Sequence, residues 1–230
     1  KRGDHRNGRA NLIGCAAVFA LHERKGKKGK LHYLTADGDL YLAKLKDSLM
    51  SDEQKISGDV IYYQLSDDGQ TIYYFKNYEE KEETGSLYRF RQEDSEAEKI
   101  SSNAFIWGTW GIYLSSLELS DDGLTVYYLE QVSEIPDTYS DSGNLMCATV
   151  GSDPVRIATD VLAYSLNSGL RSGNIDPKSF LLEKYISVDG EENIAVNWIY
   201  FDGSETQTLA KEVYHTYNGK TTVAEAAETE

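Results

Sequence analysis

Between residues 60 and 104 short apolar stretches are broken at regular intervals by polar turn residues, and the pattern predicts four β-strands. Val60 to Leu65 is the first strand, and Ser66-Asp67-Asp68-Gly69 turns the chain. Thr71 to Phe75 is the second strand, with paired tyrosines at Tyr73 and Tyr74. An acidic loop, Lys76 to Thr84, leads to Gly85-Ser86-Leu87-Tyr88-Arg89-Phe90 as the third strand, and Glu98-Lys99-Ile100 is the fourth. Aspartate and glycine suit the first turn because both tolerate positive φ and aspartate bonds to its own backbone.

The frame recurs. Leu119-Ser120-Asp121-Asp122-Gly123 repeats Leu65 to Gly69, and Val126 to Leu129, Gly143 to Met146 and Val155 to Ile157 fill the second, third and fourth strands. Two looser copies flank these. Upstream are Gly14 to Leu21, Leu31 to Leu34, Gly38 to Tyr41 and Gln54 to Ile56; downstream are Leu162 to Leu166, Phe180 to Ile186, Ala195 to Phe201 and Thr206 to Ala210. The fourth-strand residues Ile56, Ile100, Ile157 and Leu209 stand 44, 57 and 52 residues apart. A propeller blade of four strands takes about 40 to 50 residues, and loop insertions account for the longer intervals. The expected fold is therefore all-β, a β-propeller of four-stranded antiparallel blades, with about four blades recognisable and a larger ring left open.

The Ser-Asp-Asp-Gly turn, the Ile/Val-Tyr-Tyr strand, the Gly-x-Leu-Tyr strand and the Lys-Ile close resemble the WD-like repeats of TolB and of the propeller domains of prolyl oligopeptidase-type peptidases. They look still more like propeller domains of unknown function on surface proteins of Gram-positive bacteria. The likeness covers about residues 12 to 213. It departs from the family in reading Ser-Asp-Asp-Gly for the usual Ser-Pro-Asp-Gly, and it lacks the closing Leu-Thr of many TolB repeats.

The organisation that follows is a basic segment at 1–11, repeats at about 12–59, 60–104, 105–161 and 162–213 within a propeller spanning 12–217, and a polar acidic tail at 218–230. Val213 to Tyr217 reads as a further first strand, which could close the ring by pairing with the opposite end of the chain.

Composition agrees with this reading. Three prolines, 19 glycines and 17 tyrosines in 230 residues favour short strands and tight turns. The net charge of −15 is uneven, because residues 1–30 carry nine Lys or Arg against Asp4 and Glu23. The remaining acidic surface repels phosphate backbones and argues against general nucleic-acid binding. Cys15 and Cys147 have no CxxC spacing and read as small buried hydrophobes. Leu12 to Cys15 has the look of a lipobox, but Lys1 to Asn11 lacks the apolar stretch of a signal. Leu12 to Leu21 is too short to span a bilayer, so no transmembrane segment is expected in this chain.

Two features could carry function. In a propeller, the loops between second and third strands share one face with the blade connections, and here those loops are acidic: Glu79, Glu80, Glu82 and Glu83, then Glu134, Asp137 and Asp141, then Asp189, Glu191 and Glu192. They read either as a solvated face or as a surface recruiting Ca²⁺ or a basic partner. Beside them Trp107-Gly108-Thr109-Trp110, with Tyr113 and Tyr139, forms an aromatic cluster at a blade junction. It reads either as packing between sheets or as a platform for a sugar ring or peptide. The basic stretch Arg24 to Lys30 falls in the slot of the Ser-Asp-Asp-Gly turn, as an enlarged hairpin tip on the other face.

No cofactor is expected. The Asp-Gly turns at Asp37, Asp68 and Asp122 lack the ligand spacing of a calcium loop, and His5, His22, His32 and His215 show no metal-ligand spacing. There is no Gly-x-Ser-x-Gly elbow, and the many carboxylates single out no glycosidase pair. The expected function is a non-catalytic, extracytoplasmic bacterial interaction domain that takes a protein, peptide or glycan through Trp107, Trp110, Tyr113, Tyr139, Glu80, Glu83, Asp137 and Asp141. Two alternatives stand beside it. One is a propeller glycosidase or lyase using channel carboxylates; the other is a sensor or scaffold domain of a membrane-anchored protein.

Overall fold

A computed structural model describes residues 29–46, 49–66, 68–109, 112–115, 117–120, 122–135, 141–162, 179–189, 193–216 and 221–226. All regular structure among them is β, and every strand pair is antiparallel. The chain divides into two compact units, Lys1–Ser115 and Ser116–Glu230.

In the first unit, β1 (Gly29–Leu34), β2 (Leu40–Lys46) and β3 (Leu49–Ser57) form one meander. A second meander is built by β4 (Val60–Leu65), β5 (Thr71–Glu79), β6 (Thr84–Arg91) and β7 (Glu98–Thr109), in the order expected for one blade. The short β8 (Ile112–Ser115) folds back on the end of β7, pairing Ile106 with Ser115 through to Thr109 with Ile112. The fourth strand thus runs on past Ile100 to Thr109 and carries Trp107 with it.

The second unit repeats the pattern. β9 (Glu118–Leu119), β10 (Thr125–Glu134), β11 (Asp141–Thr149) and β12 (Val155–Leu162) form a second complete copy of the four-strand frame. β13 (Phe180–Asp189), β14 (Asn193–Phe201) and β15 (Thr206–Thr216) supply three strands of the next, and β16 (Thr221–Ala226) pairs with β15. The first strand expected at Gly14 to Leu21 lies outside the described residues; of the one expected at Leu162 to Leu166 only Leu162 is described, and it closes β12 instead. Val213 to Thr216 is no separate strand. It continues β15, which bends at Glu212, where a positive φ of 49° marks a bulge.

The tyrosine pairs break strict alternation because second strands are covered on both faces. Ile72, Tyr73, Tyr74 and Phe75 are all buried, as are Val126, Tyr127, Tyr128 and Leu129. In the first unit Leu40, Val60, Ile72, Tyr74 and Phe90 form one apolar cluster that locks the two meanders together, with the Tyr74 and Tyr88 rings stacked at 5.3 Å. In the second unit Ile135, Leu162, Val196, Ala210 and Val213 do the same work.

The repeated turn has one hydrogen-bond plan in both copies. The Ser66 hydroxyl donates to Asp68 Oδ1 (2.7 Å) and accepts from the Thr71 amide (3.0 Å), while Asp68 Oδ1 also takes the Gln70 amide (2.8 Å). Ser120, Asp122, Thr125 and Leu124 repeat this at 2.6, 3.0 and 3.0 Å. Gly69 and Gly123 sit at φ of 67° and 65°, which the turn requires. Replacing buried Ser66 with Ala strands the Thr71 amide. We expect a loss of about 2 kcal/mol in urea unfolding for Ser66→Ala and a similar loss for Ser120→Ala.

Candidate functional site

The acidic loop of the first unit is the tip of the β5–β6 hairpin. Its last rung pairs Glu79 with Thr84, leaving residues 80–83 as the connection. Glu79, Glu80 and Glu82 are exposed. Glu83 is half-buried at a φ of 48°, and its carbonyl oxygen accepts the Ile106 amide at 2.9 Å. That bond fixes the acidic tip against β7 one residue before Trp107. Trp107 pairs with Leu114, and Gly108 with Tyr113, in the β7–β8 hairpin. One end of this unit therefore brings together Glu80, Glu83 and the backbone positions of Trp107 and Tyr113. Trp110 lies outside the described residues.

In the second unit the corresponding hairpin closes with Glu134 opposite Asp141. Like charges across a rung disfavour ionisation, and the Asp141 carboxyl is held above its ordinary range, first by burial and then by Glu134. Asp137 and Tyr139 lie outside the described residues. Cys147 is half-buried rather than buried, because it sits on a groove with Val155, Arg156, Ile157, Phe201 and the 203–206 turn. Burial pushes its thiol up, away from reactivity. The Asp68 and Asp122 carboxylates are engaged in their own turns, and among the described residues no three His, Cys, Asp or Glu side chains converge as metal ligands.

Two buried polar arrangements were not read from the sequence. Arg89, with its side chain 2% exposed, reaches Glu98 Oε2 at 2.5 Å from β6 to β7. At the opposite end of the first unit from the acidic tip, His32 on β1 is 3% exposed and meets Gln92. The Gln92 amide nitrogen donates to the Gly69 carbonyl (2.8 Å) and stands 3.4 Å from His32 Nε2. An amide nitrogen only donates, so Nε2 is the accepting nitrogen and Nδ1 carries the ring proton. Burial, and then the Lys30 charge, push the His32 pKa down to about 4, so the ring is neutral at neutral pH. His32 occupies the second-strand slot that Tyr73 and Tyr127 fill in the better copies, and this substitution is the sequence signal that marks it.

No protein-family model and no curated protein matches the chain. Among solved structures it is similar to the β-propeller domain of the Trilobed protease from Pyrococcus furiosus, at 9% identity and a TM-score of 0.45, over 82% of this chain and 56% of that one. It is similar to acylaminoacyl peptidase from Pyrococcus horikoshii, at 11% identity and a TM-score of 0.44, over 81% and 31% of the two chains. It is also similar to TolB from Acinetobacter baumannii, at 10% identity and a TM-score of 0.37, over 79% and 42%. The chain thus spans little more than half, or less, of the length of each of these proteins. At such scores the architecture is read from the strand order and register above.

Proposed function

We propose that this chain is a non-catalytic β-propeller interaction domain that presents the acidic end of its first unit to a basic segment of a protein or peptide partner. The observation that carries the reading is the Ile106 to Glu83 backbone bond, which holds three exposed glutamates beside the strand bearing Trp107. The glutamates attract a cationic partner and set the association rate, while an aromatic residue offers rigid contact area at small entropy cost. A glycan ligand would use the aromatic positions without the charge. The resemblance to propellers on bacterial surface proteins supports an extracytoplasmic location.

A peptide and glycan array identifies the ligand, and two variants then test the surface. In Glu80→Lys/Glu82→Lys, affinity for a basic peptide falls about tenfold or more while Tm is unchanged. In Trp107→Ala the same loss is expected with the fold retained. Wild-type binding by both folded variants overturns the proposal, and a collapse of Tm in Trp107→Ala assigns that residue to packing instead.

A further inference from the structure

The first unit carries a cleft at the end opposite the acidic tip. Lys30, Leu42, Ala43, Lys44, Asp52, Gln54 and Gln92 line its ≈ 250 Å³. Paired residues of neighbouring antiparallel strands share a face, so Lys30 with Lys44, His32 with Leu42, and Leu42 with Gln54 place most of these side chains on one face of the β1–β2–β3 meander. Gln92 of the second meander closes the space over His32.

The charges and polar atoms in this space are specific. Lys30 and Lys44 stand directly opposite each other, an arrangement that is unfavourable for two like charges. Asp52 neutralises one of them, holding Lys44 Nζ at 2.8 Å. Lys30 makes no ion pair among the described residues, which leaves the cleft with one net positive charge in an acidic chain. Of the lining residues, Gln92 has its Oε1 acceptor buried without a protein partner among the described residues, and so has its neighbour His32 at Nδ1. Gln54 adds an exposed amide, and Leu42 and Ala43 add apolar wall.

We propose that this cleft binds a small hydroxylated carboxylate, of the size of a single sugar acid. The single net positive charge matches a monoanion, whereas a phosphate dianion would meet Asp52. A bare carboxylate offers acceptors only and leaves Gln92 Oε1 without a donor; a hydroxyl group supplies one. The volume lies just below the roughly 300 to 1,000 Å³ of sites for larger small molecules, so one ring fits. This site is separate from the acidic end that carries the interaction reading.

The probe is D-glucuronate, titrated into ¹⁵N-labelled protein with acetate, D-glucose and inorganic phosphate as comparison arms. Saturable shifts are expected at Lys30, Lys44, Gln54 and Gln92, with glucuronate bound about tenfold or more tightly than any comparison ligand. Lys30→Gln changes an exposed side chain and is expected to weaken glucuronate about tenfold with the spectrum otherwise intact. Trp107→Ala is expected to keep wild-type glucuronate affinity, so this site and the acidic end stand or fall separately. Absence of saturation up to about 50 mM, glucose or phosphate binding as tightly as glucuronate, or unchanged affinity in Lys30→Gln overturns the proposal.

Discussion

Gly143→Ala is expected to destabilise the protein by about 3 kcal/mol, a fall of about 10 °C in Tm. The cause is close approach. Between the rungs Glu130–Asn144 and Ser133–Ser142, two residues of β10, Gln131 and Val132, face the single residue Gly143 of β11. Gln131 takes a φ of 53° to make this bulge, and a Cβ on Gly143 would lie 2.6 Å from Val132 Cγ2 and 2.9 Å from the Glu130 carbonyl oxygen. A branched side chain in a strand and a backbone oxygen cannot move aside cheaply. β5 and β6 repeat the device, with Asn77 at φ 56° and Gly85 opposite, but there the nearest atoms stand at 3.3 Å and about 1 kcal/mol is expected for Gly85→Ala. Gly151→Ala is the control for backbone conformation, since Gly151 has φ 77° and open space around it, and it too is expected to cost about 1 kcal/mol. Denaturant midpoints for the three variants decide the matter. A Gly143→Ala cost no larger than that of Gly151→Ala would sink the close-approach explanation.

The Gly-x-Leu strand was legible in the sequence as a repeated mark, yet its cause was not. The glycine answers a bulge in the neighbouring strand, and a bulge leaves no residue type of its own: Asn77 and Gln131 are ordinary polar residues. The Ser-Asp-Asp-Gly turns were legible because the bonds of their Ser and Asp side chains are local, made within five residues. Strand ends were harder. β7 runs to Thr109 and β15 to Thr216, because a strand can pass a bulge and go on pairing, β7 with β8 and β15 with β16. The fourth-strand residues Ile56, Ile100 and Ile157 are only half-buried, and Leu209 is 44% exposed, so they mark register without forming the core. At the candidate site, acidity could be read from composition, whereas the Ile106 to Glu83 contact joins residues 23 apart and needed the fold. The His32–Gln92 pair, 60 residues apart, escaped for the same reason.

Acidification from neutral pH is expected to cost the protein about 3 kcal/mol through His32 alone. The unfolded chain takes up the imidazole proton near 6.5, whereas the folded chain resists it down to about 4 because the charged ring would be buried beside Lys30. Above pH 6.5 the ring is neutral in both states and the full stability is present. Between 6.5 and about 4 the unfolded state binds more protons, so stability falls as pH falls, by up to about 1.4 kcal/mol per unit. Below about 4 both states are protonated and the loss levels off. Asp141 acts in the opposite sense, since its folded carboxyl is raised and gains stability on protonation. A difference measurement removes that contribution and those of the other carboxylates. Urea midpoints for wild type and His32→Gln are to be compared at pH 7 and pH 4, and the variant is expected to lose about 3 kcal/mol less than wild type over that interval. The ring resonances give a direct check that does not depend on unfolding. A His32 titration midpoint near 6.5 in the folded protein would overturn the buried, neutral Nδ1–H assignment.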